Sequence, residues 1–273
     1  MGMRGTLITF EGAEGSGKST QMDLACQLSK KNKLPPLHLR EPGGVKISEK
    51  IRGILLDSKN EKMADTSEML LYMAARAQLV SEVISPALKK GKIVLCDRFL
   101  DSTVVYQGYG NGMDLNAIDQ VGRFATQGIQ PDLTFLFDID AKVGLSRIKR
   151  EKDRIERKAL AYHERVRKGY LKLAEEHPDR IRIIPAQQSR EDIQRIVKKY
   201  LEEFFGKRIN IRPKTIDLRL KQKRPYCRSG LNLTYNRGGL QVIPILSHPC
   251  HSRMTLAGIQ TRDKWTPAKI MRG

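Results

Sequence analysis

Residues 12–19 read Gly-Ala-Glu-Gly-Ser-Gly-Lys-Ser, a G-x(4)-G-K-[ST] pattern between the apolar run TLITF (6–10) and a stretch of helical spacing from Ser19 to Lys31. The chemistry such a pattern serves is phosphate binding. Glycines let successive backbone N–H groups converge on an anion, and the following helix N-terminus adds positive potential. Gly12, Ala13, Glu14, Gly15, Ser16, Gly17, Lys18, Ser19 and Thr20 therefore form the candidate site for ATP or GTP, with ATP the reading taken. Lys18 is expected to reach the β- and γ-phosphates and the Ser19 hydroxyl to bind Mg²⁺. No NKxD base-recognition element follows, and the DxxG match at 119–122 falls inside a helical pattern, which argues against a switch GTPase. Glu11 and Glu14 put negative charge where a polyanion must sit, so at least one of them needs a role other than phosphate binding.

Two further groups could do chemistry. Asp97 and Arg98 follow the apolar run KIVLC (92–96). A carboxylate there can support Mg²⁺ or the phosphate acceptor, and a guanidinium can clamp a phosphate through two parallel hydrogen bonds. The alternative is a surface ion pair at a strand end. Tyr72 and Arg76, one turn apart in the apolar stretch LLYMAARAQLV, could present a ring and a guanidinium to a base. A core tyrosine beside a snorkelling arginine is the competing explanation.

The elements that must position these groups alternate. Strand patterns lie at 6–12, 37–39, 92–96, 132–140 and 180–184, and helical patterns at 19–31, 47–57, 66–90, 114–127, 141–151, 156–176 and 190–205. Alternation of this kind predicts right-handed βαβ units and an α/β fold of P-loop NTPase type, a five-stranded parallel sheet flanked by helices in three layers. Ligands bind beyond the carboxyl ends of such strands, where the Gly-rich loop, Glu41-Pro-Gly-Gly44 and Asp97-Arg98-Phe99 all fall. GYGNG (108–112) reads as a flexible loop.

Charge divides the 273 residues into a body and an extension. Residues 207–273 hold 15 Lys/Arg against two acids, a net +13, whereas residues 1–206 carry only +7 of the total +20. The extension has no Glu, five of the 12 prolines and no sustained strand or helix period, which predicts a disordered basic segment. A solvated tail is the reading taken; contact with nucleic acid through phosphate charge is the alternative, and sparse aromatics speak against it. No apolar run approaches the ~20 residues of a membrane span. No secretory h-region opens the chain, and Cys26, Cys96, Cys227 and Cys250 form no CxxC pair, as expected of reduced thiols in a cytoplasmic protein.

Six motifs in order, FEGAEGSGKST (10–20), REPGG (40–44), AARAQ (74–78), CDRFLDSTVVYQG (96–108), QPDLTFLFDID (130–140) and DRIE (153–156), give the chain a close resemblance to the thymidylate kinase family over residues 4–205. The resemblance implies transfer of the ATP γ-phosphate to dTMP, with Mg²⁺ and a homodimer formed through the long helices. It implies that Tyr72 stacks on thymine, that Arg76 hydrogen-bonds the base and that Arg98 and Arg40 grip the dTMP phosphate. Pro42 would shape the base pocket, Tyr106 would lie where a 2′-OH would go, and Ser102, Thr103 and Gln107 would be polar pocket groups. Glu14 would approach the sugar 3′-OH, and Val45 replaces a threonine common in the family. Relatives without an arginine in the phosphate loop supply one from a mobile lid, here the segment 146–156 with Arg147, Arg150 and Arg154. Of these, Arg150 and Arg154 are favoured as catalytic. A kinase for another pyrimidine monophosphate, such as dUMP or UMP, and a nucleotide-binding protein without transfer remain the rival readings.

Overall fold

The computed structural model describes residues 5–31, 35–210, 233–236 and 239–242. Strand β1 (Thr6–Gly12) is buried along its whole length and forms the centre of a parallel sheet. Its neighbours are β3 (Ile93–Asp97) and β4 (Leu133–Asp138), with β2 (Leu37–Arg40) and β5 (Ile181–Pro185) at the edges, giving the order β2-β3-β1-β4-β5. The register pairs Phe10 with both Asp97 and Phe135, so the carboxyl ends of three strands finish side by side. The loops leaving those ends are thereby forced together.

Strand alternation assigns each side chain to a face. Ile8, Phe10, Leu95, Phe135 and Phe137 pack with Met22 of α1 (Lys18–Lys31) and with Ile193, Val197 and Leu201 of α9 (Arg190–Asn210). On the other face, Leu7 and Val94 meet Leu79, Ile84 and Leu88. Those belong to one continuous helical run made of α3 (Asp65–Leu79), a π-wound turn (Val80–Ile84) and α4 (Ser85–Lys89). The wide turn falls just before Pro86, which has no N–H to continue the i→i−4 ladder. Leu136, Val105 and Tyr106 pack with Tyr162, Val166 and Tyr170 of α8 (Leu160–Glu176). Helices thus cover both faces of a five-stranded parallel sheet, the three-layer arrangement expected.

Short elements complete the body. α2 (Lys46–Leu56) and α3 pack together, α5 (Leu100–Thr103) leads into a π-wound segment (Val104–Gly110), and α6 (Leu115–Thr126) is capped by Asp114, which accepts from Asn116 N at 2.9 Å. GYGNG is therefore not a flexible loop through its first half. Gly108 and Gly110 are buried in the π-wound segment, where an added Cβ would come within 2.4 Å of Leu115 Cδ2 and 2.6 Å of Tyr162 Cε2. These glycines permit close packing.

Another expectation fails at the helical pattern 141–151. α7 spans only Ala141–Ser146, started by Asp140 accepting from Lys142 N and Val143 N, and residues 147–159 are not helical. The Asp153 side chain accepts from Ile155 N and Glu156 N, both at 3.0 Å, which builds a local turn in place of a helical one.

The chain divides into two units, residues 1–213 and 214–273. In the first, α9 continues to Asn210, past the Gly206 boundary read from composition. In the second, β6 (Leu233–Asn236) pairs antiparallel with β7 (Gly239–Val242), a hairpin where no strand period was read. The expectation of disorder over 207–273 otherwise lies outside the described residues. Among the described residues, no helix is long and apolar enough to cross a membrane.

Candidate active site

The phosphate loop leaves β1 through Gly12 (φ 141°), where a Cβ would meet Phe137 O at 2.5 Å. Gly15 (φ 66°) packs against α7 so closely that a Cβ would sit 2.0 Å from Gly144 O. Only glycine serves at either position. Lys18 Nζ bridges the loop, donating to Ala13 O at 2.9 Å and to Ser16 Oγ at 3.3 Å. Burial, and then the positive charge of Arg98, lower the Lys18 ammonium to about 8 against the pull of Glu14. Ser19 Oγ donates to Asp97 Oδ2 at 2.6 Å, joining the two expected Mg²⁺ ligands across the ends of β1 and β3. A hydroxyl and a carboxylate are the hard oxygen donors Mg²⁺ takes.

Beside the loop lies a tightly braced ion pair. Arg98 adopts φ 69°, a left-handed conformation that costs a branched or long residue about 1–3 kcal/mol and persists only where its surroundings enforce it. The enforcing group is Glu11. It is 1% exposed and accepts from Phe99 N (2.7 Å), Ser102 Oγ (2.6 Å) and Tyr170 OH (2.9 Å), which fixes the chain just after Arg98. Burial, with Asp101 nearby, raises the Glu11 carboxyl to about 7. So positioned, the Arg98 guanidinium places Nη2 on both Glu14 oxygens at 2.9 and 3.0 Å. Its Nη1 reaches Gly12 O, Ser102 Oγ and Tyr170 OH, and its carbon stands 4.9 Å from the centre of the Tyr106 ring. Tyr106 OH donates to Glu14 Oε1 at 2.6 Å. Burial would raise the Glu14 carboxyl, but Arg98, then Lys18, and the Tyr106 hydrogen bond hold it down to about 2. Glu14 is thus a fixed anion.

These groups wall one cleft of about 490 Å³. It is lined by residues 14–20, Pro42, Tyr72, Asp97, Arg98, Ser102, Thr103, Tyr106 and Gln107, as expected from the sequence. Gly12 and Ala13 support it from behind, Ala13 as a 5% exposed core residue. Arg147 and Arg150 line it as well, with Ile148, Lys149, Asp153 and Glu156 of the same segment.

Three expected arginines are placed elsewhere. Arg40 turns to Glu49, with Nη2 on its two oxygens at 3.0 and 3.1 Å, and does not line the cleft. The Gly44 N–H donates to the same carboxylate at 2.7 Å and, ahead of Arg40, lowers its titration, so Glu49 stands as an anion beside Arg40. Arg76 is 2% exposed and stands behind the wall. Its guanidinium donates to Glu41 Oε2 (2.7 Å), Thr103 Oγ1 (2.9 Å) and Phe99 O (2.9 Å), so it holds wall residues instead of facing the cavity. Arg154 is 7% exposed, with Nη1 2.6 Å from Glu68 Oε2 and Nε donating to Leu55 O. A charge so placed needs its buried partner, and the contact keeps Arg154 out of the cleft.

Comparison with known proteins supplies the family. The sequence profile of the thymidylate kinase family matches residues 10–197. The chain belongs to the thymidylate kinase family. A thymidylate kinase of Latilactobacillus sakei is 48% identical over 196 residues, covering 70% of this chain and 92% of the relative. One from Enterococcus faecalis is 44% identical, covering 74% of this chain and all of the relative. The crystal structure of thymidylate kinase from Ehrlichia chaffeensis superposes with a TM-score of 0.60 at 34% identity, over 72% of this chain and 99% of that one. Whole family members are therefore matched with about a quarter of this chain left over.

Two residues that shape the site, Arg52 in its wall and Tyr170 behind it, escaped the reading of the sequence. Arg52 of α2 lines the cavity and donates Nη1 to Pro42 O at 2.9 Å, while burial and then Arg40 lower its guanidinium. In sequence it is one charge on an ordinary amphipathic helix. Tyr170 lies 72 residues from Arg98 in the chain, at core spacing within α8. Only the fold brings it to Glu11 and Ser102.

Proposed function

We propose that the cleft transfers the γ-phosphoryl group of ATP to the phosphate of dTMP, giving ADP and dTDP. ATP's triphosphate lies along residues 12–20, with Lys18 at the β- and γ-phosphates. An oxygen of the dTMP phosphate forms the new bond to the γ-phosphorus, and the bridging β–γ oxygen leaves with the electron pair. Nothing on the protein becomes covalently attached, so the work of the side chains is positioning and charge neutralisation. The observation that carries the reading is the Glu14–Arg98–Tyr106 cluster, which abuts the phosphate loop and supplies both an anion-binding guanidinium and a fixed carboxylate.

In this reading Arg98 grips the acceptor phosphate, where a dianion would compete with Glu14 for the guanidinium. Glu14 and Tyr106 meet the deoxyribose, Glu14 at the 3′-OH and the Tyr106 ring where a 2′-OH would stand. Tyr72 and Pro42 hold the base, with Ser102, Thr103 and Gln107 as polar contacts. Arg52 takes the place beside the acceptor that Arg40 leaves. Ser19 and Asp97 would hold Mg²⁺, which supplies neutralisation of the phosphate charge when bound. Residues 146–156 act as the lid, and Arg150 supplies its charge, because Arg150 faces the cleft with a side chain 64% exposed while Arg154 is buried.

Residues 1–206 carry this activity, and the extension from 207 takes no part. Full coverage of the Enterococcus relative without that extension supports the division. A chain ending after Pro213 is expected to match the full-length rate. The protein works in the cytoplasm as a homodimer. The buried thiols of Cys26 and Cys96, with no disulfide formed, suit the first statement. The outward apolar side chains of Leu70 on α3, Phe124 on α6 (86% exposed) and Ile54 on α2 suit the second.

The test is steady-state turnover with ATP, Mg²⁺ and a panel of dTMP, dUMP, UMP, CMP, AMP and GMP. Preference for dTMP is expected. No turnover with any acceptor would remove the kinase reading, and preference for UMP would remove the role given to Tyr106.

A further inference from the structure

Glu68 lies in the first turn of α3, four residues before Tyr72, and is 1% exposed. Its Oε1 accepts from Gln107 Nε2 at 2.9 Å and from Asn111 Nδ2 at 3.3 Å, and pairs with Lys158 Nζ at 3.5 Å. Its Oε2 is 2.6 Å from Arg154 Nη1. Burial works against the carboxylate, but Lys158, Gln107 and Arg154 together lower its titration below the ordinary value. The mechanism above makes no use of this group.

An ionised carboxylate accepts hydrogen bonds and donates none, so Gln107 can meet Glu68 only through its NH₂ end. The two ends of an exposed glutamine exchange at little cost. Here, turning the amide would set its carbonyl against a buried anion and leave two acceptors facing each other. Gln107 and Tyr72 both line the cleft, and both lie against or beside Glu68. With one N–H of the NH₂ held by Glu68, the amide is fixed in one orientation, and its carbonyl oxygen is the acceptor Gln107 offers a bound molecule.

We infer that Glu68 is a positioning residue that fixes the Gln107 amide so that the cleft offers the acceptor base a hydrogen-bond acceptor. This rests on the dTMP reading of the cleft. Thymine carries a ring N–H that such a carbonyl accepts. Cytosine has an unprotonated nitrogen at the same ring position, which would set a lone pair against a lone pair. Discrimination between the two pyrimidines then depends on a carboxylate standing behind the glutamine.

The experiment is kcat/KM for dTMP and dCMP on the full chain, for the unaltered protein and the Glu68→Gln and Glu68→Asp variants. The unaltered protein prefers dTMP. Glu68→Gln can donate or accept, which frees Gln107 to turn, and the dTMP-over-dCMP preference falls about tenfold or more. Glu68→Asp remains an obligate acceptor and keeps the preference, whatever its loss in absolute rate. Loss of a merely structural contact lowers both substrates alike and leaves the ratio in place. If Glu68→Gln does not fold, Glu68→Met combined with Arg154→Met removes the carboxylate together with the nearer and more buried of its two cationic partners, and the same fall in preference is expected. An unchanged ratio in the folded variant, or no preference in the unaltered protein, overturns the role of Glu68. Absence of dTMP turnover by the unaltered protein overturns the acceptor reading instead.

Discussion

Arg98 and Arg150 both line the cleft, and they are held in opposite ways. Arg98 is 17% exposed, and its guanidinium contacts Glu14, Gly12, Ser102, Tyr170 and the Tyr106 ring, which come from well-separated parts of the chain. Arg150 is 64% exposed, and its hydrogen bonds run to Glu151 O and to the two oxygens of Glu156, all within its own segment. Moving Arg98 means dismantling the sheet end. Moving Arg150 means exchanging one carboxylate for another anion. Under the proposed function, the first arginine belongs to a preformed acceptor site, and the second is a charge kept in reserve on a segment that can close.

If that contrast holds, damage on the built side costs acceptor binding and stability together. Arg98→Ala is expected to lower kcat/KM for dTMP roughly 10³-fold, because it removes the phosphate clamp and takes from the partly buried Glu14 its directly paired cation. Steady-state kinetics reads the loss, and a thermal melt reads the accompanying drop in stability. Glu14→Ala comes next, at about 10²-fold in kcat/KM for dTMP, with ATP affinity nearly intact. Earlier failure of ATP binding would move Glu14 to the donor side and blur the comparison. A smaller effect separates Lys18 from both arginines. Its ammonium titrates at about 8 in the free protein, while bound phosphates favour the charged form, so binding above that pH takes up a proton. ATP affinity should therefore weaken as pH rises past 8, by no more than about tenfold per pH unit. Calorimetric titrations in buffers of different ionisation enthalpy would detect the proton.

The same contrast separates what was legible in the sequence from what was not. The phosphate loop, Asp97-Arg98 and the Tyr72 turn were readable because their chemistry sits in short motifs at strand or helix ends, and strand alternation fixed which ends meet. Arg40, Arg76 and Arg154 lie on carboxylates outside the expected contacts for a common reason. A sequence shows that an arginine lies near a site, but not which carboxylate wins it, and Glu49, Glu41 and Glu68 each come from a different part of the chain. Glu41 is the instructive case: it is part of the REPGG motif, yet its partner on α3 could not be assigned by spacing. The charged run 147–151 misled in another way, since helical spacing persists in the sequence while α7 stops at Ser146 and Asp153 starts a separate turn. The hairpin at 233–242 is too short, and too close to Gly and Asn, to show a strand period.

The most direct measurement of the central claim is the division of effect between kcat and KM in Arg150→Ala. A reserve charge that acts only as the phosphoryl group transfers predicts a kcat lower by roughly 10³-fold with KM for dTMP almost unchanged. An unchanged kcat, or a loss appearing mainly as a raised KM for dTMP, would contradict it.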